Sequence, residues 1–311
     1  MRLLVAGSSG LIGSALVPRL RARGHRVIRL TRAARGAGRV AADRAPGLAE
    51  DTAPWDPDAG ALDPAVLRDA DAVVHLGGVG IAGIWTGRRK ERIRASRVRS
   101  TALLAGAMAA AGRPSVLVHA SGVGYYGDRA DEILSESSAP GTGFLAGVCR
   151  DWEAASRPVE EAGGRVVRVR TGLAMSRNGG VLGSIAPLFR LGLGGRLGGG
   201  RQWMAWVALD DLVEIYVRGI EDASLRGAIN AVAPESATNA DFTRALGRAL
   251  HRPTPFPVPA FLLRLLPGGM GAETLLASQR AVPARLSSAG FTFRHPSLDE
   301  TLAELFGPPR P

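Results

Sequence analysis

The chain has 311 residues with a formal net charge of +11 and one cysteine, Cys149. This composition excludes an internal disulfide and a cysteine-cluster metal site, and no segment approaches the roughly 18 consecutive apolar residues of a membrane helix. Lys90 is the only lysine and the arginines are mostly scattered, so the charge does not indicate a dedicated nucleic-acid function.

The N-terminus reads as a strand, a glycine turn and a helix. The apolar run 3–6 precedes Gly7, Gly10 and Gly13, and apolar residues then recur at helical spacing over 11–23. Such a turn lets the backbone approach a pyrophosphate closely, and the helix N-terminus offers unpaired N–H groups. The sequence therefore predicts a dinucleotide site here.

The second predicted strand, 26–30, is followed by Thr31 and Arg32. An acidic residue near this place would hold the ribose 2′-hydroxyl of NAD, whereas an arginine matches the oxygens of a 2′-phosphate. Arg32 therefore favours NADP over NAD. The alternative is a solvated arginine in an arginine-rich chain.

Strands and helices alternate over the rest of the first half. Residues 33–54 are predicted to form a mobile loop with a short strand near 52–55. Further strands are predicted at 71–76, 115–120 and 165–169, and helices at 87–111 and 144–162. We expect an α/β fold with a Rossmann-type doubly wound parallel sheet over residues 1–170, completed by later segments.

Residues 171–311 are expected to form a smaller, mainly helical C-terminal substrate lobe. This part contains a glycine-rich stretch at 192–200, a helix opened by Asp210 and Asp211, a short strand at 228–232 and a proline-containing tail. The lobe is expected to cover the carboxyl ends of the strands, where open α/β sheets bind ligands.

Motifs along nearly the whole chain resemble the extended short-chain dehydrogenase/reductases. Within that group the chain is similar to the atypical epimerase-family branch, which is NAD-dependent epimerase/dehydratase-like. The matching segments are 7–13, 30–32, 55–57, 75–78, 85–90, 96–101, 121–128, 144–153, 170–172, 179–180, 202–206 and 210–211.

The resemblance implies that the chain binds NADP(H). The residues implied at the pyrophosphate are Gly7, Ser9, Gly10, Leu11, Ile12 and Gly13. Thr31 and Arg32 would meet the adenosine ribose and its phosphate, Leu76 and Gly77 would lie along the cofactor, and Ser121 would lie near the nicotinamide.

The usual catalytic pair of this superfamily, Tyr-x-x-x-Lys, is absent. Lys90 is the only lysine and Thr86 stands four residues before it. Alignment of the helix at 144–153 puts Leu145 and Cys149 at the positions of the pair. The hydride-transfer chemistry that depends on this tyrosine and lysine is therefore excluded.

Tyr125 and Tyr126 follow Ser121 at the end of a predicted strand, where chemistry is usual in this fold. One hypothesis makes either tyrosine the proton donor, and Ser121 a further catalytic residue. The alternative is that the tyrosines wall the pocket or pack in the loop.

Substrate contacts are predicted for Arg97, Gln202, Trp203 and Trp206, with core or interdomain packing as the alternative. The sequence predicts an NADP(H)-binding oxidoreductase or epimerase-like enzyme that acts on a small polar molecule. A non-catalytic NADP(H)-binding redox sensor or scaffold is the alternative. The histidines show no metal-ligand spacing, so no metal site is predicted. We expect a cytoplasmic monomer or homodimer without a membrane or nucleic-acid partner.

Overall fold

A computed structural model describes residues 1–32, 51–112 and 115–307. The strands are β1 (Arg2–Ala6), β2 (Arg26–Arg32), β3 (Thr52–Asp56), β4 (Ala61–Leu62), β5 (Ala72–His75), β6 (Val116–Gly122), β7 (Ile133–Leu134), β8 (Arg165–Thr171), β9 (Leu173–Met175), β10 (Trp203–Met204), β11 (Trp206–Ala208), β12 (Gly227–Ala231), β13 (Ala237–Thr238) and β14 (Arg280–Ala281). The helices are α1 (Leu11–Ala22), α2 (Gly87–Ala110), α3 (Phe144–Ala154), α4 (Arg157–Glu161), α5 (Gly180–Arg190), α6 (Leu209–Glu221), α7 (Asn239–Ala249), α8 (Ala260–Arg264), α9 (Ala284–Ser288) and α10 (Leu298–Phe306).

The central element is a large sheet with the strand order β12-β8-β6-β5-β1-β2-β3-β4. All its described pairs are parallel except β3 with β4. The chain runs outward from β1 to β2 and β3, then returns to β5 on the other side of β1. This reversal creates the crevice between β1 and β5 in which doubly wound sheets bind ligands.

Both faces of the sheet are buried, which explains why the central strands β1 and β5 are continuously apolar over residues 3–6 and 72–74. Leu3 and Val5 of β1 belong to a core on one face, where α1 and α6 pack. Leu4 and Ala6 belong to the core on the other face, which includes Leu104 of α2. The predicted Rossmann-type α/β fold is confirmed.

The C-terminal lobe has a core of its own. Leu182 and Phe189 of α5, Trp206, Phe242 of α7 and Leu302 of α10 are buried together. β12 and α6 come from the same half of the chain but belong to the sheet unit. β12 is therefore a later segment that contributes to the sheet, while the division into two domains at residue 170 stays a prediction.

The single helix predicted for 144–162 is wrong, because the structure has two helices, α3 and α4, in its place. Pro158 lies in the first turn of α4, where its missing N–H costs nothing, but the same ring would break a continuous helix. The Ser156 hydroxyl donates to the carbonyl of Glu153 at the break. Of the predicted loop at 33–54, residues 33–50 lie outside the described residues, and the short strand expected near 52–55 is β3.

Candidate functional site

The glycine turn after β1 is closed by a hydrogen bond from Gly10 N to Gly7 O at 3.2 Å. Two of its glycines are required by packing. A Cβ on Gly7, whose φ is +82°, would lie 2.8 Å from Gly77 N, and a Cβ on Gly13 would lie 2.3 Å from Gly7 O. Gly10 is different, since a Cβ there would meet only Gly7 O, at 3.5 Å. The protein's own packing therefore does not explain Gly10, and the space beside it is open.

The ends of β1 and β5 meet at this turn. Gly7 packs against the backbone of Leu76 and Gly77, which follow β5 directly. Ser9 is exposed, and Ile12 and Leu76 reach the cavity described below. The turn residues and the Leu76–Gly77 segment, implied separately by the resemblance, thus form one continuous surface.

His75 positions the Leu76–Gly77 segment of that surface. Its Nδ1 accepts a hydrogen bond from Gly77 N at 3.3 Å, and its Nε2 lies 2.8 Å from the Ser100 hydroxyl. Complete burial, followed by the charges of His119, Arg97 and Arg32, lowers the pKa of His75 to about 3. The imidazole is therefore neutral at physiological pH and acts as a positioning group rather than an acid.

Thr31 and Arg32 are exposed at the end of β2, next to the turn. The Arg32 guanidinium lies 3.7 Å from Asp58 and 53% of its side chain is exposed. An exposed ion pair of this length contributes little to stability, so Arg32 is available to another anion.

A cavity of about 540 Å³, which we call the central cavity, lies between the carboxyl ends of the strands and the C-terminal lobe. Such a volume is typical of small-molecule sites, which span about 300–1,000 Å³. Its described lining includes Ile12, Leu76, Ile81, Arg97, Ser121, Leu145, Cys149, Trp152, Thr171, Val181, Ile185, Leu188, Leu193, Leu197, Trp203, Met204, Asn239, Phe242, Thr243, Val258, Glu273, Thr274, Leu275 and Gln279.

Ser121 lies in the cavity wall near the end of β6 and is fixed from behind by a buried ion pair. Its hydroxyl donates to Glu153 Oε1 at 2.8 Å. Arg170 donates to both carboxylate oxygens, from Nε at 2.8 Å and from Nη2 at 2.9 Å. Burial alone would lower the pKa of Arg170, but its hydrogen bonds and attraction to Glu153 raise it overall. The Ser121 proton is committed to Glu153, so the lone pairs of its oxygen remain as acceptors.

The two tyrosines predicted as proton donors are not among the described residues that line the cavity. Tyr126 is fully buried; its hydroxyl donates to Asn230 Oδ1 at 2.7 Å and accepts from Arg170 at 3.0 Å. Burial raises the pKa of Tyr126, because its effect is larger than the opposite effect of the Arg170 charge and hydrogen bond. The Tyr125 ring covers the Arg170 guanidinium, with 3.4 Å between Cζ and the ring centroid. Their role as donors stays a prediction, and their contacts are those of packing residues.

The predicted substrate contacts separate into two groups. Arg97 and Trp203 line the cavity; Trp203 also donates from Nε1 to Asp131 at 2.9 Å. Gln202 and Trp206 do not appear among the described lining residues. Gln202 donates to the carbonyls of Leu197 and Leu275, and Trp206 is 1% exposed in the lobe core.

Leu145 and Cys149, which the sequence alignment predicts at the positions of the tyrosine and lysine, both line the cavity. Burial, assisted by the charge of Glu153, raises the pKa of the Cys149 thiol to about 11. The thiol is therefore neutral at physiological pH. Lys90 lies elsewhere, with its Nζ 5.1 Å from the centroid of the Phe144 ring.

Most residues of the outer wall of the cavity were not predicted from the sequence, including Ile185, Leu188, Leu193, Met204 and Phe242. The sequence of α5 contains one indication of this wall, because its apolar residues extend beyond the face that is buried in the lobe core. Over residues 1–32, 51–112 and 115–307, no helix is long and apolar enough to cross a membrane and no cluster of three His, Cys, Asp or Glu side chains suits a metal ion.

Comparisons with known proteins agree with this geometry. The pattern of the NAD dependent epimerase/dehydratase family matches residues 3–231, and a domain of unknown function matches 258–305. An epimerase family protein of Mycobacterium bovis is 46% identical, with 96% of this chain and 95% of that protein covered. The crystal structure of the human epimerase family protein SDR39U1 with NADPH is 33% identical with a TM-score of 0.86, covering 98% of this chain and 99% of that chain. A nucleoside-diphosphate sugar epimerase from Corynebacterium glutamicum is 38% identical with a TM-score of 0.78, covering 98% of this chain and 58% of that one.

Proposed function

The chain belongs to the NAD-dependent epimerase/dehydratase family, and on that basis we propose that it is an NADP(H)-dependent oxidoreductase or epimerase-like enzyme whose substrate binds in the central cavity beside Ser121. The observation that carries the proposal is the continuous surface from the glycine turn to Ser121. Ile12 and Leu76 belong to both the cofactor segments and the cavity wall.

The residues of the turn fit a dinucleotide. The open space at Gly10 leaves room for a pyrophosphate, and the first N–H groups of α1 are available to it. Arg32 would hold the 2′-phosphate of NADP(H), because a guanidinium fork matches phosphate oxygens. The human relative was crystallised with NADPH, which supports NADP(H) as the cofactor.

The bound cofactor would supply or accept a hydride at its nicotinamide ring. The chain's own contribution is to hold the substrate oxygen. Ser121 presents an oxygen whose orientation is set by Glu153, which is itself held by Arg170. In alcohol oxidation the substrate hydroxyl would donate to Ser121 Oγ, and as the carbon gives up its hydride the hydroxyl proton would pass to Ser121 while the Ser121 proton passes to Glu153. In carbonyl reduction both protons would move back, so that the substrate oxygen receives a proton as its carbon receives the hydride. Leu145 and Cys149 would contribute contact surface without charge.

The proposal is tested by NADPH oxidation at 340 nm with a panel of aldehydes and ketones. We expect turnover by the wild type and a loss of at least about tenfold in kcat/KM for Ser121→Ala, with unchanged NADPH affinity. Ser184→Ala serves as the control, because it removes a serine hydroxyl from the exposed face of α5. If NADPH binds tightly but no member of the panel is reduced, the non-catalytic sensor replaces the enzyme as the better description.

A further inference from the structure

We propose that the central cavity takes an apolar carbonyl compound or alcohol, of the medium-chain alkyl class, rather than a sugar nucleotide or another small polar molecule. This inference rests on the proposed function, since it concerns the substrate of the same site. It departs from the polar substrate that the sequence predicts, and it is argued from the walls of the cavity.

Apolar side chains from separate elements form the outer part of the cavity. Ile185 comes from α5, Met204 from β10 and Phe242 from α7, while Val258 and Leu275 come from the tail. These residues are far apart in sequence, and their convergence on one space of about 540 Å³ leaves a chamber that favours hydrocarbon over hydroxyl groups.

Three polar side chains of the wall, Asn239, Glu273 and Gln279, are each engaged in a hydrogen bond with the protein. Asn239 Oδ1 accepts from Leu197 N at 2.7 Å, and Glu273 Oε2 accepts from Leu145 N at 2.8 Å. Gln279 donates from Nε2 to a backbone carbonyl at 3.1 Å. Ser121 Oγ can accept from one substrate hydroxyl, but a sugar carries several. Each further hydroxyl that loses its hydrogen bonds to water without a replacement costs about 1–3 kcal/mol.

The charge of the lining is equally unsuited to a nucleoside diphosphate. Arg97 is the one cation among the described lining residues, and Glu273 is an anion on the same wall. The Arg97 guanidinium donates from Nη1 to the carbonyls of Val79 and Ile93, and its Cζ lies 5.2 Å from the centroid of the Trp152 ring. Tight recognition of a diphosphate uses several such donors directed at its oxygens.

The rim of the cavity continues the apolar wall to the surface. Leu188 of α5 and Leu193 after it line the cavity, yet are 51% and 56% exposed, and Ile81 on the rim is 36% exposed. Exposed apolar residues grouped around a cavity mark a ligand-binding surface more often than scattered ones do. An alkyl chain could lie along these side chains as it enters.

The test is calorimetric titration of the protein saturated with NADPH, using 1-hexanol, 1-octanol and UDP-glucose as ligands. We expect octanol to bind about tenfold more tightly than hexanol, because two further methylenes are buried, and UDP-glucose to give no binding heat. Binding of UDP-glucose, or equal affinity for the two alcohols, would overturn the inference.

A matched pair of variants locates the binding. Leu188→Asn alters an exposed residue of the wall, whereas Leu191→Asn alters a residue that is 72% exposed, three positions further on and outside the described lining. We expect octanol affinity to fall about threefold or more in the first variant and to stay unchanged in the second; equal effects would contradict the assignment. Octanal reduction by NADPH is measured in a separate assay. Binding of the alcohols without reduction of octanal would refute the proposed redox function alone. Turnover of UDP-sugars but not of octanal would refute the substrate class alone.

Discussion

Replacement of Gly10 by alanine separates ligand binding from folding. Gly10 has φ −77° and ψ 175°, which alanine adopts freely, and its added Cβ would meet only Gly7 O at an ordinary 3.5 Å. Alanine is a poorer N-cap than glycine by about 0.5–1 kcal/mol. Alanine also makes the unfolded chain less flexible, which stabilises the folded state by a similar free energy. We therefore expect the free energy of unfolding to change by less than about 1 kcal/mol.

The same methyl group would occupy the space through which a pyrophosphate approaches the turn. We expect the Kd for NADPH to rise at least about tenfold, a loss of about 1.4 kcal/mol, measured by titration of nicotinamide fluorescence beside urea unfolding followed by circular dichroism. Wild-type affinity in a folded Gly10→Ala variant would refute the assignment of this turn to the cofactor.

Two further alanine substitutions are controls for that experiment. In Gly13→Ala the Cβ would lie 2.3 Å from Gly7 O, so we expect a loss of about 1–3 kcal/mol in stability. Gly106 lies inside α2 with nothing within 4 Å of an added Cβ. Gly106→Ala should raise stability by up to about 1 kcal/mol and leave NADPH affinity unchanged.

Three other predictions concern buried groups. Burial lowers the pKa of His75 and of His119 from 6.5 to about 3, so the unfolded chain binds protons below pH 6.5 that the folded chain does not; the free energy of unfolding should fall by about 2 kcal/mol per histidine between pH 7 and pH 5. A urea midpoint that stays constant between pH 7 and pH 5 would contradict this prediction. Glu153→Ala leaves a buried arginine unpaired and should destabilise the fold by about 3–5 kcal/mol, measured by urea unfolding, whereas a cost under 1 kcal/mol would show that water replaces the carboxylate. Tyr126→Phe should lower the free energy of unfolding by about 1–3 kcal/mol because it removes a buried, hydrogen-bonded hydroxyl, and Tyr125→Phe should lower it less. Unchanged turnover in both variants would end their assignment as proton donors.

Local patterns were sufficient for most of the fold. The strand, turn and helix at residues 2–22 follow from a continuous apolar run, three glycines and helical spacing, all within one segment. The helix at 144–162 was predicted too long because apolar periodicity continues across Pro158, while the break is a steric effect of the proline ring.

The candidate site was less predictable because it depends on contacts between distant residues. Tyr126 follows a strand end, as a catalytic residue would, but its hydroxyl meets Asn230, which is 104 residues away in sequence. Glu153 reads as a helix residue, and only the fold brings it to Ser121 and Arg170. The apolar character of the cavity likewise arises from the convergence of α3, α5, α7 and the tail, which no single segment reveals.

NADP(H) binding at the glycine turn and Arg32 is tested most directly by a fluorescence titration of the wild-type protein and Arg32→Ala with NADPH and NADH. We expect saturable binding by the wild type, with NADPH at least about tenfold tighter than NADH, and loss of most of that preference in Arg32→Ala. Failure of the wild type to bind either nucleotide, or equal weakening of both in the variant, would contradict the assignment of the turn and Arg32 to NADP(H).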